Sequence, residues 1–153
     1  MRFIKTLIKS FGYAFSGIAN AVKKERNFRI HIVAAVLVTE FGILYGLTPV
    51  EWSVILLTIA SVLAAELFNT AIEAAVDRTG SHTDIFGKTA KDASAGAVLI
   101  FAIGAVAVAV NIFSDTARLL PAIISLFTTW RVAVFIVYVI LSLIFITGKP
   151  DNK

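Results

Sequence analysis

The chain has 153 residues, of which 58% are hydrophobic and 16% charged, and its mean hydropathy is +0.88. Soluble domains carry roughly 45–50% apolar and about 25% charged residues, so water is the wrong solvent for this chain and intrinsic disorder is excluded. Cysteine is absent, which excludes a disulfide framework and a thiolate zinc site, and the net charge of +4 calls for an explanation.

At the N-terminus, Phe3, Ile4, Leu7, Ile8, Phe11, Phe15, Ile18 and Val22 recur at three- and four-residue steps, with Arg2, Lys5 and Lys9 between them. This predicts a basic amphipathic helix over residues 1–24 that lies in the membrane interface. It has no continuous apolar run or small-residue cleavage site, so it is not expected to be a cleaved signal peptide. Four apolar stretches follow, at about residues 30–47, 52–65, 93–112 and 132–146, with 121–127 a candidate extension of the last. A bilayer core of about 30 Å needs about 20 helical residues. The second stretch reaches that length only with its polar continuation, giving core spans over about 30–47, 50–77 and 88–112. The expected fold is an all-α integral membrane protein. It has an interfacial helix, three core transmembrane helices (residues 1–112) and an extra fourth C-terminal transmembrane helix with a short tail (residues 113–153).

The turns carry their own signals. Thr48, Pro49 and Glu51 spell a capping box that opens the second span. Residues 79–84 are polar and read as a loop, and residues 111–121 read as a second connection. Gly42 and Gly46 are spaced as a close-packing pair in the first span. Trp52 and Trp130 sit near span ends as interfacial anchors do. His31 reads as structural, and Glu40, in mid-span, has no nameable partner.

Charge sets the orientation. Residues 1–29 hold seven Lys/Arg, the first inter-span loop none, the second three, the third two and the C-terminus two. Sides alternate with each crossing, so one face collects twelve and the other two. The positive-inside rule then puts both termini and the second loop in the cytoplasm, and the basic charge needs no nucleic acid.

The chemistry concentrates on the second span. Glu66, Glu73 and Asp77 fall within roughly 40° of one another on a helix, with Thr70 near that line and Asn69 to its side. Three carboxylates on one face repel each other and need a cation, a proton or a partner. Lys88, Lys91 and Asp92 start the third span at the same membrane face, and Lys23, Lys24, Glu25 and Arg26 precede the first. Hard oxygen donors beside lysines suit Mg²⁺ and phosphates, hence phosphoryl transfer. A proton or cation pathway and a structural salt-bridge network fit the same residues. The stretch from Gly80 to Thr89 has six residues between its glycines and follows a helix, so it is not a phosphate-binding P-loop.

Residues 66–78, ELFNTAIEAAVDR, and 90–98, AKDASAGAV, resemble the signature of the prokaryotic membrane diacylglycerol kinase and undecaprenol kinase family. Gly12-Tyr13 and Glu25-Arg26-Asn27-Phe28 extend the likeness over roughly residues 9–110. The resemblance implies a lipid kinase of the bacterial cytoplasmic membrane that uses Mg²⁺ and ATP and forms a homotrimer with shared active sites. It implies Glu66 as general base with Asn69 in support, and Glu25 and Glu73 as metal ligands. Tyr13, Glu25, Glu73, His82, Thr83, Asp84, Lys91 and Asp92 would contact ATP. The stretches from Glu25 to Phe28, with His31, and from Asp92 to Val98 look more like the undecaprenol kinase branch. The expected acceptor is therefore undecaprenol, with diacylglycerol as the alternative. Two departures stand out: the fourth span is extra, and Thr6 replaces a basic residue of some members.

Overall fold

The structure is a computed structural model and describes residues 2–80 and 84–148. The described residues form six helices: α1 (Arg2–Lys24), α2 (Arg26–Tyr45), α3 (Pro49–Thr79), α4 (Ile85–Ile112), α5 (Thr116–Leu126) and α6 (Thr129–Thr147). Helices α2, α3 and α4, and residues Trp130–Thr147 of α6, are long and apolar enough to cross a membrane. The chain is an all-α, multi-pass membrane protein.

The amphipathic α1 touches the bundle only near its C-terminal half. Its apolar residues Phe3, Ile8, Phe11 and Phe15 are exposed, and Ala21 is buried. A helix with an uncovered apolar face and interspersed lysines suits the interface plane.

The α2–α3 turn is built as its residues dictate. Gly46 takes a left-handed φ of 74° to end α2, and its N–H bonds to the Gly42 carbonyl at 3.0 Å. The Thr48 N–H donates to Glu51 at 2.7 Å, and the Glu51 N–H donates back to the Thr48 hydroxyl at 3.3 Å, completing the capping box. A Cβ on Gly42 would lie 2.7 Å from Leu47 Cδ1 and 3.1 Å from the Trp52 ring. Gly42 is therefore a close-packing position against the start of α3, whereas Gly46 serves the turn, where its left-handed φ favours glycine. At 31 residues, α3 is about 46 Å long, well beyond a core of about 30 Å, so its polar end projects from the bilayer.

Two boundaries differ from expectation. The first span begins at Arg26, because Glu25 in extended conformation separates it from α1. Residues 111–127 are neither a plain connection nor an extension of the fourth span. They contain α5, which opens where the Asp115 carboxylate accepts the Ala117 N–H at 2.9 Å. Pro121 lies inside α5, and its missing N–H helps keep this helix short. Helix α5 packs over the end of the bundle that carries the α2–α3 turn, the outer end, which lies away from the polar half of α3. Ala122 is buried there against Tyr45, Leu47 and Ile55. Arg118 forks onto both Glu51 oxygens at 2.9 and 3.0 Å, reaches the Gly46 carbonyl at 2.7 Å, and lies 4.2 Å from the Tyr45 ring centre.

Helices α3 and α4 form the tightest pair, an antiparallel hairpin. The buried side of α3 is Ile55, Val62, Glu66 and Asn69, apolar toward the outer end and polar toward the other. Helix α6 docks on α2, with the Tyr138 hydroxyl donating to the Val33 carbonyl at 2.6 Å.

Candidate active site

Helix α1, the Glu25 joint and the projecting half of α3 enclose an open cleft of about 660 Å³. Tyr13, Glu25, Glu73 and Asp77 all line it, with Asn20, Lys24 and Thr70. Small residues make the room: Ala14, Gly17 and Ala21 on α1 face Ala71 and Ala74 on α3. Their spacing of three and four was a readable sign of close helix approach.

Behind the cleft runs a buried polar chain. The Ser94 hydroxyl donates to Asn69 Oδ1 at 2.7 Å, and Asn69 Nδ2 donates to Glu73 Oε1 at 3.0 Å. An ionised Glu73 accepts only, so the amide nitrogen must face it and leave Oδ1 to Ser94. Asn69 and Ser94 are both 8% exposed, which makes this network rigid. Ser94 had drawn no role of its own from the sequence, because its partner lies 25 residues away on another helix.

Glu66 lies two turns toward the membrane interior from Glu73 and is 2% exposed. Counted from Pro49, it stands about 25 Å along α3. The Glu25 and Glu73 carboxylates both act on it electrostatically. Lys91 pairs with Asp77 at 3.0 Å at the exposed rim.

The structure thus brings Tyr13, Glu25, Asn69, Glu73 and Lys91 to one end of the bundle, with Glu66 behind them. Asp84 and Asp92 do not line the cleft. The Asp84 carboxylate instead caps α4, accepting the Phe86 N–H at 2.6 Å, and Asp92 is exposed. His82 and Thr83 lie outside the described residues. His31 lines a separate apolar cavity of about 310 Å³ between α2, α3 and α4, and Glu40 is exposed away from the cleft.

Among the described residues, no three metal-ligating side chains cluster. The chain offers Glu25 and Glu73 on one cleft. That donor set fits a hard ion held by one or two carboxylates together with substrate phosphates, rather than an all-protein cage.

A multi-pass membrane protein with a carboxylate-lined cleft at one end of its spans is the class that this fold and site define. Residues 12–113 match the family model described as prokaryotic diacylglycerol kinase. The undecaprenol kinase of Bacillus subtilis is 42% identical over 100 residues, covering 65% of this chain and 81% of that protein. The diacylglycerol kinase of Synechocystis is 41% identical over 121 residues, covering 78% and 66% respectively. That of Escherichia coli K12 is 34% identical over 100 residues, covering 65% and 82%. No solved structure shows a significant match. The chain belongs to the prokaryotic diacylglycerol kinase family and is a membrane lipid kinase. Membership of a kinase family implies ATP as the phosphoryl donor.

Proposed function

We propose that the protein transfers the γ-phosphate of ATP, with Mg²⁺, to the hydroxyl of undecaprenol. The observation that carries this reading is the meeting of Tyr13, Glu25 and Glu73 on one cleft, with Glu66 buried behind it. The acceptor is taken from the 42% identical relative named undecaprenol kinase. Residues 1–112 would carry the reaction, and residues 113–153 the added span. Both termini would be cytoplasmic, and the protein would work as a homotrimer with shared sites.

In this reading Glu66 takes the proton from the lipid hydroxyl. Its depth suits an alcohol dissolved in the bilayer, while the cleft opens to water where ATP arrives. Burial of Glu66 keeps bulk water away from its carboxylate, so a neighbouring lipid hydroxyl can reach it without competition. Asn69, fixed by Ser94, holds Glu73 in place through one oxygen. Tyr13 lines the α1 wall, and Lys91 supplies positive charge at the rim. Lys91 can exchange Asp77 for a phosphate oxygen, since both bind an ammonium as a point charge. The residues that would hold Mg²⁺ are Glu25 and Glu73, and the chemistry a bound ion supplies is neutralisation of phosphate charge. His82, Thr83, Asp84 and Asp92 would join ATP binding from the α3–α4 loop and the start of α4.

Diacylglycerol is the second reading, favoured by the Synechocystis relative's name and the family description. The test is kcat/KM for undecaprenol and diacylglycerol in the same mixed micelles, with Glu73→Gln as control. A higher value for undecaprenol supports the proposal, and a higher value for diacylglycerol replaces it. Phosphorylation of neither alcohol above the control sinks both.

A further inference from the structure

We propose that the fourth span is a positioning element for the cleft: through Arg29, the end of α6 holds the α1–α2 joint that carries Glu25. Arg29 stands in the first turn of α2 and is 6% exposed. Its Nη1 donates to the carbonyls of Val22 and Lys23 at 3.3 and 3.1 Å, at the end of α1. Its Nη2 donates to the carbonyls of Ile146 and Gly148, both at 3.2 Å, at the end of α6. Among the described residues, no carboxylate lies within ion-pairing distance of it.

A buried cation without a carboxylate needs other acceptors. Helix C-termini supply them, because their last carbonyls lack intrahelical donors and carry the negative end of the dipole. One guanidinium serves two such ends here, and only its planar fork can reach both. An ammonium is a single point and would have to choose. Without α6, the Nη2 side would lose both of its carbonyl acceptors, and with them two charge-assisted hydrogen bonds.

The consequence for the cleft follows from where Arg29 grips. Glu25 is the single residue between α1 and α2. Its N–H bonds to the Ala21 carbonyl at 2.8 Å, and the Arg29 N–H bonds to the Glu25 carbonyl at 3.3 Å. Arg29 therefore holds the turn on both sides of Glu25, and α6 fixes where Arg29 sits. The Tyr138–Val33 bond docks α6 at a second level deeper in the bundle, so its end cannot shift freely. Arg29 is a positioning residue that acts through Glu25, and the inference rests on the metal role proposed for Glu25.

The test uses the full chain in nanodiscs. Cysteine is absent from the protein, so spin labels attach only at introduced sites. Lys23→Cys and Thr147→Cys are exposed positions at the ends of α1 and α6. With Arg29 intact, the distance distribution between them should be narrow. In Arg29→Gln it should broaden, and half-saturating Mg²⁺ should rise about tenfold, as for loss of an outer-shell partner of a ligand, with kcat at saturating Mg²⁺ little changed. Arg29→Lys keeps the charge but cannot bridge, so it should move both readouts the same way and serves if the glutamine variant does not fold. A narrow distribution in both variants overturns the proposal. Broadening with an unchanged Mg²⁺ midpoint overturns the positioning role. If Glu25→Gln itself leaves the midpoint unchanged, the reading of the site fails instead, and the label distances still decide whether Arg29 joins the two helix ends.

Discussion

The two ends of the bundle are built on opposite principles. At the outer end the buried residues are Tyr45, Leu47, Ile55 and Ala122, with Phe113 packed edge-on to both Tyr45 and Phe41. At the opposite end, beside the cleft, the buried polar residues are Arg29, Glu66, Asn69 and Ser94. The outer end has close-packed side chains, a capped turn and a bidentate ion pair. The other end has an open cleft walled by small residues. Stability and chemistry are thus segregated along the spans, and the same helix, α3, contributes Ile55 to one end and Glu66 to the other.

The sharpest way to break this comparison is a variant that separates turnover from folding. Glu66→Gln keeps shape and hydrogen-bonding capacity but cannot take a proton. Loss of a general base costs typically 10²–10⁴-fold, so kcat should fall by about that factor. The thermal midpoint should hold or rise, because a buried carboxylate near Glu25 and Glu73 has been neutralised. Retained turnover in Glu66→Gln would remove the base from α3. A lowered midpoint with normal kcat would make the acidic stripe a structural feature.

The converse variant lies at the outer end. Ile55 is 2% exposed at the centre of the apolar cluster. Ile55→Ala should destabilise the protein by about 2–5 kcal/mol, as large-to-small changes in packed cores do. The folded fraction should keep its kcat/KM. Unfolding monitored by circular dichroism, with activity measured on the same sample, checks both. A changed kcat/KM would mean that the outer cluster sets cleft geometry.

What was legible in the sequence follows the same division. The spans were visible because a bilayer demands long apolar runs, and the capping box because its residues are three apart. The acidic stripe was visible because three carboxylates share one helical face. Helix α5 was not, since eleven residues with an internal proline look like a connection. The Asp84 cap was readable as an acidic residue just before an apolar helix, and it stands beside the ATP contact proposed for the same residue. Arg118 and Arg29 read only as charges, because Arg29 is held by backbone carbonyls, which have no side-chain signature, and Arg118 chiefly by a carboxylate 67 residues away in the chain. The Ser94–Asn69 bond is a contact between helices that only packing can make.

The smallest expected effect tests whether the outer ion pair belongs to stability alone. The hydrogen bond with Glu51 raises the pKa of Arg118 above its already high ordinary value. A raised basic pKa contributes stability that is fully present below the unfolded value and is lost only as pH climbs through the folded one. For arginine that window begins above about pH 12, so the contribution is constant across any working pH. Arg118→Leu should therefore lower the thermal midpoint by the same few degrees at pH 6 and pH 9. Glu51 keeps its capping bonds to Thr48 in that variant, which limits the loss. Added salt should reduce the difference between wild type and variant, because this pair sits at the membrane surface where counter-ions reach it. The kcat/KM should not move at either pH. A pH-dependent change in turnover on removing Arg118 would tie the outer face to the cleft, and the separation of the two ends would no longer hold.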